Sequence, residues 1–174
     1  MTNRKADFDR ALQQAAKVIE DCGISQPPIP IYDIILGYGL SLSLFDTSSP
    51  SILIDPKFSS VSGAIIPDKK LVLINSTDSP LRQVFTAAHE LGHWILHPKE
   101  MAAQPELGIV IYRRPIGDEI DPLEQEANHF AANLLVPEHM LRKYHEHDAD
   151  PHHLVKVFGV SLPVIGYRIK NLRL

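Results

Sequence analysis

The chain has 174 residues, 44% of them hydrophobic, which is enough to bury a real core in one folded unit (1–174), with a main part to about residue 137 and a helical part over about 138–174. A net charge of -4 and a pI near 6.1 exclude the overall basic field of a general nucleic-acid binder. The single Cys22 excludes an internal disulfide framework, no apolar run reaches membrane-spanning length, and Met1 to Asp7 leads into no signal core, so a cytoplasmic protein with no membrane partner is expected.

From about Lys5 to Asp21, Phe8, Leu12, Ala15, Ala16 and Ile19 recur at helical spacing, and Gly23 is a natural stop. Pro27, Pro28 and Pro30 make a stiff link, after which Ile31, Ile34 and Ile35 predict a short helix ended by Gly37 or Gly39. Leu40, Leu42 and Leu44 alternate with serines as in a half-buried strand, and residues 47–50 predict a turn. Gly63 to Ile66 and Lys70 to Asn75 flank Pro67-Asp68-Lys69 and read as a hairpin. The next helix starts near Ser76 to Ser79, with Pro80 in its first turn, and ends before Pro98. Residues 98 to about 117 mix Pro105, Gly108 and Pro115 with one apolar run, Ile109 to Tyr112, expected to be an edge strand over a cleft within a mobile stretch. Asp121-Pro122 opens a further helix whose stripe of Ala127, Phe130, Ala131, Leu134 and Leu135 runs to Pro137. The whole predicts an α+β fold, mainly helical, with a small antiparallel three-stranded sheet packed on the helix that begins near Pro80, and C-terminal helices.

That helix carries His89-Glu90-Leu91-Gly92-His93. Residues four apart advance about 400° and rise about 6 Å, so the two histidines share a face and can bind one metal ion. Glu90 sits one residue round, where it can take a proton from a water that the metal acidifies. Phe85, Ala88, Leu91, Gly92 and Ile95 indicate a buried helix, in which two His and a Glu need partners.

A catalytic zinc usually has three protein ligands and an open position, so one ligand is still needed. The longer metzincin motif would need Gly at Leu96 and His at Lys99, which rejects that class. His97 lies about two turns from His89, too far along a straight helix to share the ion; it reads as a supporting or cleft-wall residue, or as a surface histidine near a helix end. In thermolysin-like enzymes the third ligand comes from a following helix and is trailed at four residues by an Asp that orients a ligand histidine. Glu124 and Asn128 have that relation, since the Asn oxygen can accept the same ring N–H. Glu126, about 200° round the helix, is the competing ligand and otherwise a solvated helix charge.

Two blocks, Phe85-Thr86-Ala87-Ala88-His89-Glu90-Leu91-Gly92-His93 and the stretch from Glu124 through Asn128 to Pro137, resemble the ImmA/IrrE family of metallopeptidases, and the Pro-Pro-x-Pro link, the Ser62-Gly63 hairpin and Phe158-Gly159-Val160-Ser161 with Arg168 share its character. The resemblance implies a gluzincin-like core and a thermolysin-like site with His89, His93 and Glu124 as ligands of one Zn2+, or of another divalent metal, and Glu90 as base. It also implies intracellular endoproteolysis, often of a helix-turn-helix repressor. The separation from His93 to Glu124 is longer than in thermolysin, so the intervening segment is asked to loop out beside the cleft. Tyr112, Arg113 and His97 are the candidates for stabilising the oxyanion.

His145, His147, His152 and His153 form a His-rich turn, read as solvated rather than as a second metal site. Leu154, Val157, Phe158, Val160, Leu162, Ile165 and Ile169 make two stripes around a turn like that of a helix-turn-helix. The rival function is therefore a non-catalytic regulatory module that binds DNA or protein, with a structural or sensor metal. Leu162, Pro163, Val164 and Ile165 stand where base-reading polar residues would, so packing is the better reading and no direct nucleic-acid contact is expected.

Overall fold

Helix α1 (Phe8–Asp21) begins at Asp7, whose side chain accepts the amide N–H of Arg10, and it buries Ala11, Ala15, Val18 and Ile19. The computed structural model describes residues 4–46, 61–103, 109–112 and 121–174. Helix α2 (Ile31–Gly37) follows the proline link and buries Ile31, Ile34 and Ile35, the three residues that predict it.

Four strands form the sheet: β1 (Ser41–Phe45), β2 (Val61–Ile66), β3 (Leu71–Asn75) and β4 (Ile109–Tyr112), in the order β1-β3-β2-β4. Strands β2 and β3 are the expected hairpin, joined by a 3-10 turn at Pro67–Lys69 and by Lys70 at φ 47°. The α+β class is as expected, but the sheet is mixed and has four strands rather than three antiparallel ones. Strand β1 runs parallel to β3, with Ser41 opposite Leu71 and Phe45 opposite Asn75. The physical reason lies in the connection: residues 46–60 are long enough to skip the position beside β1, so no tight turn imposes an antiparallel pairing. Strand β4 pairs antiparallel with β2 and forms the expected edge. The turn expected at residues 47–50 lies outside the described residues.

Helix α3 (Pro80–Leu96) packs on β2 and β3, and on its other side meets α5 (Pro122–Leu135), after the short α4 (Pro98–Ala103). Pro80 and Pro122 open α3 and α5, and Asp121 caps α5 by accepting the N–H of Leu123. Helix α1 lies along α5, and after α6 (Glu138–His147) and α7 (Pro151–Phe158) comes α8 (Leu162–Leu172), which packs on both α7 and α5. Gly159 closes α7 in the left-handed region, φ 64°, and allows the turn into α8. Arg168 of α8 is buried and donates from Nε to the carbonyl of Val136, so it holds α8 to the end of α5.

The closeness of α3 and α5 depends on Gly92. A Cβ there would lie 3.0 Å from Cδ1 of Phe130 and 3.3 Å from both Cα and the carbonyl oxygen of Ala127. Two of those three atoms are backbone and cannot rotate away. We expect Gly92→Val to destabilise the chain by about 1–3 kcal/mol, the usual cost of overpacking. At this size that is a fall in Tm of roughly 2–4 °C per kcal/mol, readable by calorimetry, and an unchanged Tm would refute the tight contact.

Candidate metal centre

Helix α3 presents His89, Glu90 and His93 from its buried middle, and all three are at most 2% exposed. Burying them takes them from water, so each must find a partner or be held for a function. His89 and His93 point toward α5, where Glu124 stands in the first turn. Oε2 of Glu124 is 3.4 Å from Nε2 of His89, and Oε1 is 3.3 Å from Nε2 of His93. One ligand atom from each of the three residues falls within 4.8 Å of the others, and the three can hold a metal ion. Among the described residues no other group of three or more His, Cys, Asp or Glu is gathered this way, and His147, His152 and His153 of the tail are exposed.

The proton positions follow from the neighbours. Oδ1 of Asn128 is 2.9 Å from Nδ1 of His89 and can only accept, so the ring carries its proton there. Behind His93, the carboxylate of Glu126 accepts from Nε2 of His97 at 2.9 Å. Burial holds His97 below its ordinary pKa despite that carboxylate, so the ring is neutral. Its Nδ1, 2.9 Å from Nδ1 of His93, has only a lone pair to offer and must accept. With the ring proton on Nδ1 in each, the neutral forms of His89 and His93 turn an Nε2 lone pair to the metal side. Two such nitrogens stand 2.8 Å apart with a carboxylate against both, an arrangement that repels itself and that a cation relieves. The donor set therefore fits a divalent metal.

Electrostatics agree. Burial lowers the pKa of His93 to about 4, against the opposing pull of Glu124. Burial alone would raise the carboxyl of Glu124, but the hydrogen bonds and attraction of His89 and His93 outweigh it and hold the group well below the usual range. A neutral imidazole and an ionised carboxylate are the forms a metal takes, so neither group has a proton to lose near neutral pH.

Glu90 points elsewhere, to β2. A Cβ at Gly63 would lie 3.1 Å from Oε1 of Glu90 and 2.4 Å from Cγ2 of Thr86, so only glycine lets the strand pass here. Neither oxygen of Glu90 has a hydrogen-bond partner among the described residues. Burial first, and then the charge of Glu124, push its carboxyl well above the ordinary range. A buried carboxyl with no partner and a perturbed pKa, on the same helix as a candidate metal group, is a candidate acid or base.

Several expectations change. Glu126 is not a solvated charge: it is fully buried and takes donors from the amide of Asp7 at 2.9 Å, from His97, and from Nη2 of Arg4 at 3.3 and 3.4 Å. The cause is α1, which covers the face of α5 that the isolated helix would expose. His97 is neither a surface residue nor a cleft wall facing a substrate; it is 0% exposed with both nitrogens engaged, which removes it as an oxyanion donor. Tyr112 lies on β4 opposite Val61, and Arg113 is outside the described residues. The roles of Arg4, Asp7 and Gly63 here carry no local signal, because the groups they meet at this site are distant in sequence.

Residues 44–170 match the family described as the IrrE N-terminal-like domain, a peptidase family. "Uncharacterized immunity region protein 2" of Bacillus phage phi105 is 35% identical over 75 residues, 43% of this chain and 43% of that protein. A Mycobacterium tuberculosis transcriptional regulator has a similar fold, with a TM-score of 0.62 at 16% identity over 92% of this chain and 46% of that one. The chain thus spans less than half the length of each. The family match covers most of the chain and includes both helices that build the candidate metal centre: the chain belongs to the IrrE N-terminal-like peptidase family.

Proposed function

We propose that the chain is a metal-dependent endopeptidase that holds one Zn2+ through His89, His93 and Glu124 and uses Glu90 as its base. The observation that carries this reading is the convergence of two bare Nε2 atoms and a carboxylate beside a buried carboxyl with no partner of its own. When bound, zinc supplies Lewis-acid polarisation of the scissile carbonyl and lowers the pKa of water. Glu90 takes the proton from the attacking water and passes it to the leaving amine nitrogen. Asn128 and His97 hold the ring protons of His89 and His93 on Nδ1, so that both Nε2 atoms face Glu124. No helix among the described residues is long and apolar enough to cross a membrane.

The proposed substrate is a helix-turn-helix repressor in the cytoplasm, supported by the family and by the immunity-region name of the phage relative. A DNA-reading role for α8 has less support, because Arg168 faces inward and Pro163, Val164 and Tyr167 line a cavity against Gln125, Asn128 and His129 of α5. The test is incubation of the zinc-loaded protein with the repressor encoded beside it. We expect cleavage that a chelator stops and added zinc restores. Cleavage that continues in the chelated protein would overturn the metal mechanism, and an intact repressor in the zinc-loaded reaction would overturn the choice of substrate.

A further inference from the structure

We infer that His97 and Glu126 are positioning residues for His93, and that the segment from Arg4 to Asp7 clasps them in place. The inference rests on the metal-site reading above. Helix α3 and the residue that caps its C-terminus place histidines four apart, at 89, 93 and 97. The first two offer Nε2 to Glu124, whereas the third turns both nitrogens away from it, one to His93 and one to Glu126. A row of directed hydrogen bonds results: His93 Nδ1 donates to His97 Nδ1, and His97 Nε2 donates to Glu126. Each bond fixes the tautomer of the ring before it, and the last consequence is a bare Nε2 on His93 aimed at Glu124.

Glu126 is a costly end for that row unless it is fully satisfied, since a buried carboxylate without donors is strongly destabilising. Its donors come from outside α5. Asp7 contributes its backbone N–H at 2.9 Å, and Arg4 bridges Glu126 to Glu100 of α4, with Nη1 2.6 Å from that second carboxylate. Arg10, further along α1, donates to the carbonyl of Leu96 at the end of α3. The start of the chain therefore ties α4, α5 and the last turn of α3 together around His97. The other ligand is supported differently: His89 leans on Asn128, which is exposed. The two ligand histidines thus have separate supports, one at the surface and one clasped in the core.

The test is zinc affinity of the full chain, measured by competition with a chromogenic chelator, together with Tm. His97→Ala and Glu126→Ala are each expected to weaken zinc binding about 10- to 100-fold, the usual loss when such a support is removed. The double variant should bind no worse than His97→Ala, because Glu126 reaches the metal only through His97. A purely structural role would instead lower Tm, leave affinity at the wild-type value and give additive losses; that result overturns the inference. Glu126→Gln, which keeps an acceptor oxygen, should lose less than Glu126→Ala, and Arg4→Ala should lose less still. If the alanine variants do not fold, nitrogen-15 NMR of the zinc-loaded wild-type protein decides: a proton on Nε2 of His97 is expected, and one on its Nδ1 overturns the inference. His93→Ala is the control, since unchanged zinc affinity there would refute the metal site itself, whereas loss there with wild-type affinity in His97→Ala refutes only the positioning role.

Discussion

Glu90→Gln is expected to lower peptide cleavage at least about 100-fold, the low end of what a positioned general base contributes, while zinc content stays at the wild-type level. The two readouts separate because Glu90 and the ligands leave α3 in different directions, toward Gly63 of β2 and toward Glu124 of α5. Glutamine has nearly the same shape, so the close passage beside Gly63 and Thr86 need not change. What is lost is the basicity of a carboxylate, since an amide oxygen accepts hydrogen bonds but does not take a proton near neutral pH. The carboxyl is fully buried and both its oxygens are without partners, so the substitution breaks no hydrogen bond among the described residues. It also removes a group whose ionisation burial opposes, so the metal-free variant should be at least as stable as the wild type. Zinc by elemental analysis, cleavage by gel and Tm by calorimetry check the three parts. Cleavage at the wild-type rate would show that some other group takes the proton.

The candidate site on α3 was legible from the chain because its chemistry is local. Two histidines one turn apart and a glutamate between them need no knowledge of the rest of the fold, and Asn128 one turn after Glu124 is the same kind of signal. What escaped was set by surfaces that meet only in the folded chain. Glu126 is polar and stands on a helix whose apolar stripe does not include it, so an isolated α5 exposes it. Its burial comes from α1 and from Arg4 and Asp7, some 120 residues earlier. His97 was ambiguous for a related reason, since its two partners are on two helices. The mixed sheet was hidden by residues 46–60, a connection too long for a turn to dictate direction. Gly63 shows the same limit in reverse: its glycine is explained by a side chain on α3, not by its strand.

Glu124→Ala is expected to lose zinc by far more than the 10- to 100-fold drop that a supporting residue gives, and Glu126→Ala to remain within that drop. The prediction discriminates two carboxylates on one helix by where their charge is spent. Glu124 is held ionised by His89 and His93, against burial, and turns one oxygen to each of them. Glu126 gives one oxygen to the Asp7 amide and the other to His97, with Arg4 across both, and it would have to abandon all three to reach a metal. Leaving those donors unpaired in a buried site would cost more than one ligand bond through a displaced helix could return. In Glu124→Ala, His89 and His93 still face each other with bare nitrogens, and a two-ligand site has no anion to balance the cation. Elemental analysis of the two variants after dialysis against a zinc buffer checks the ranking. Zinc retained in Glu124→Ala and lost from Glu126→Ala would reverse the assignment and require α5 to turn by about 200° in the zinc-loaded protein.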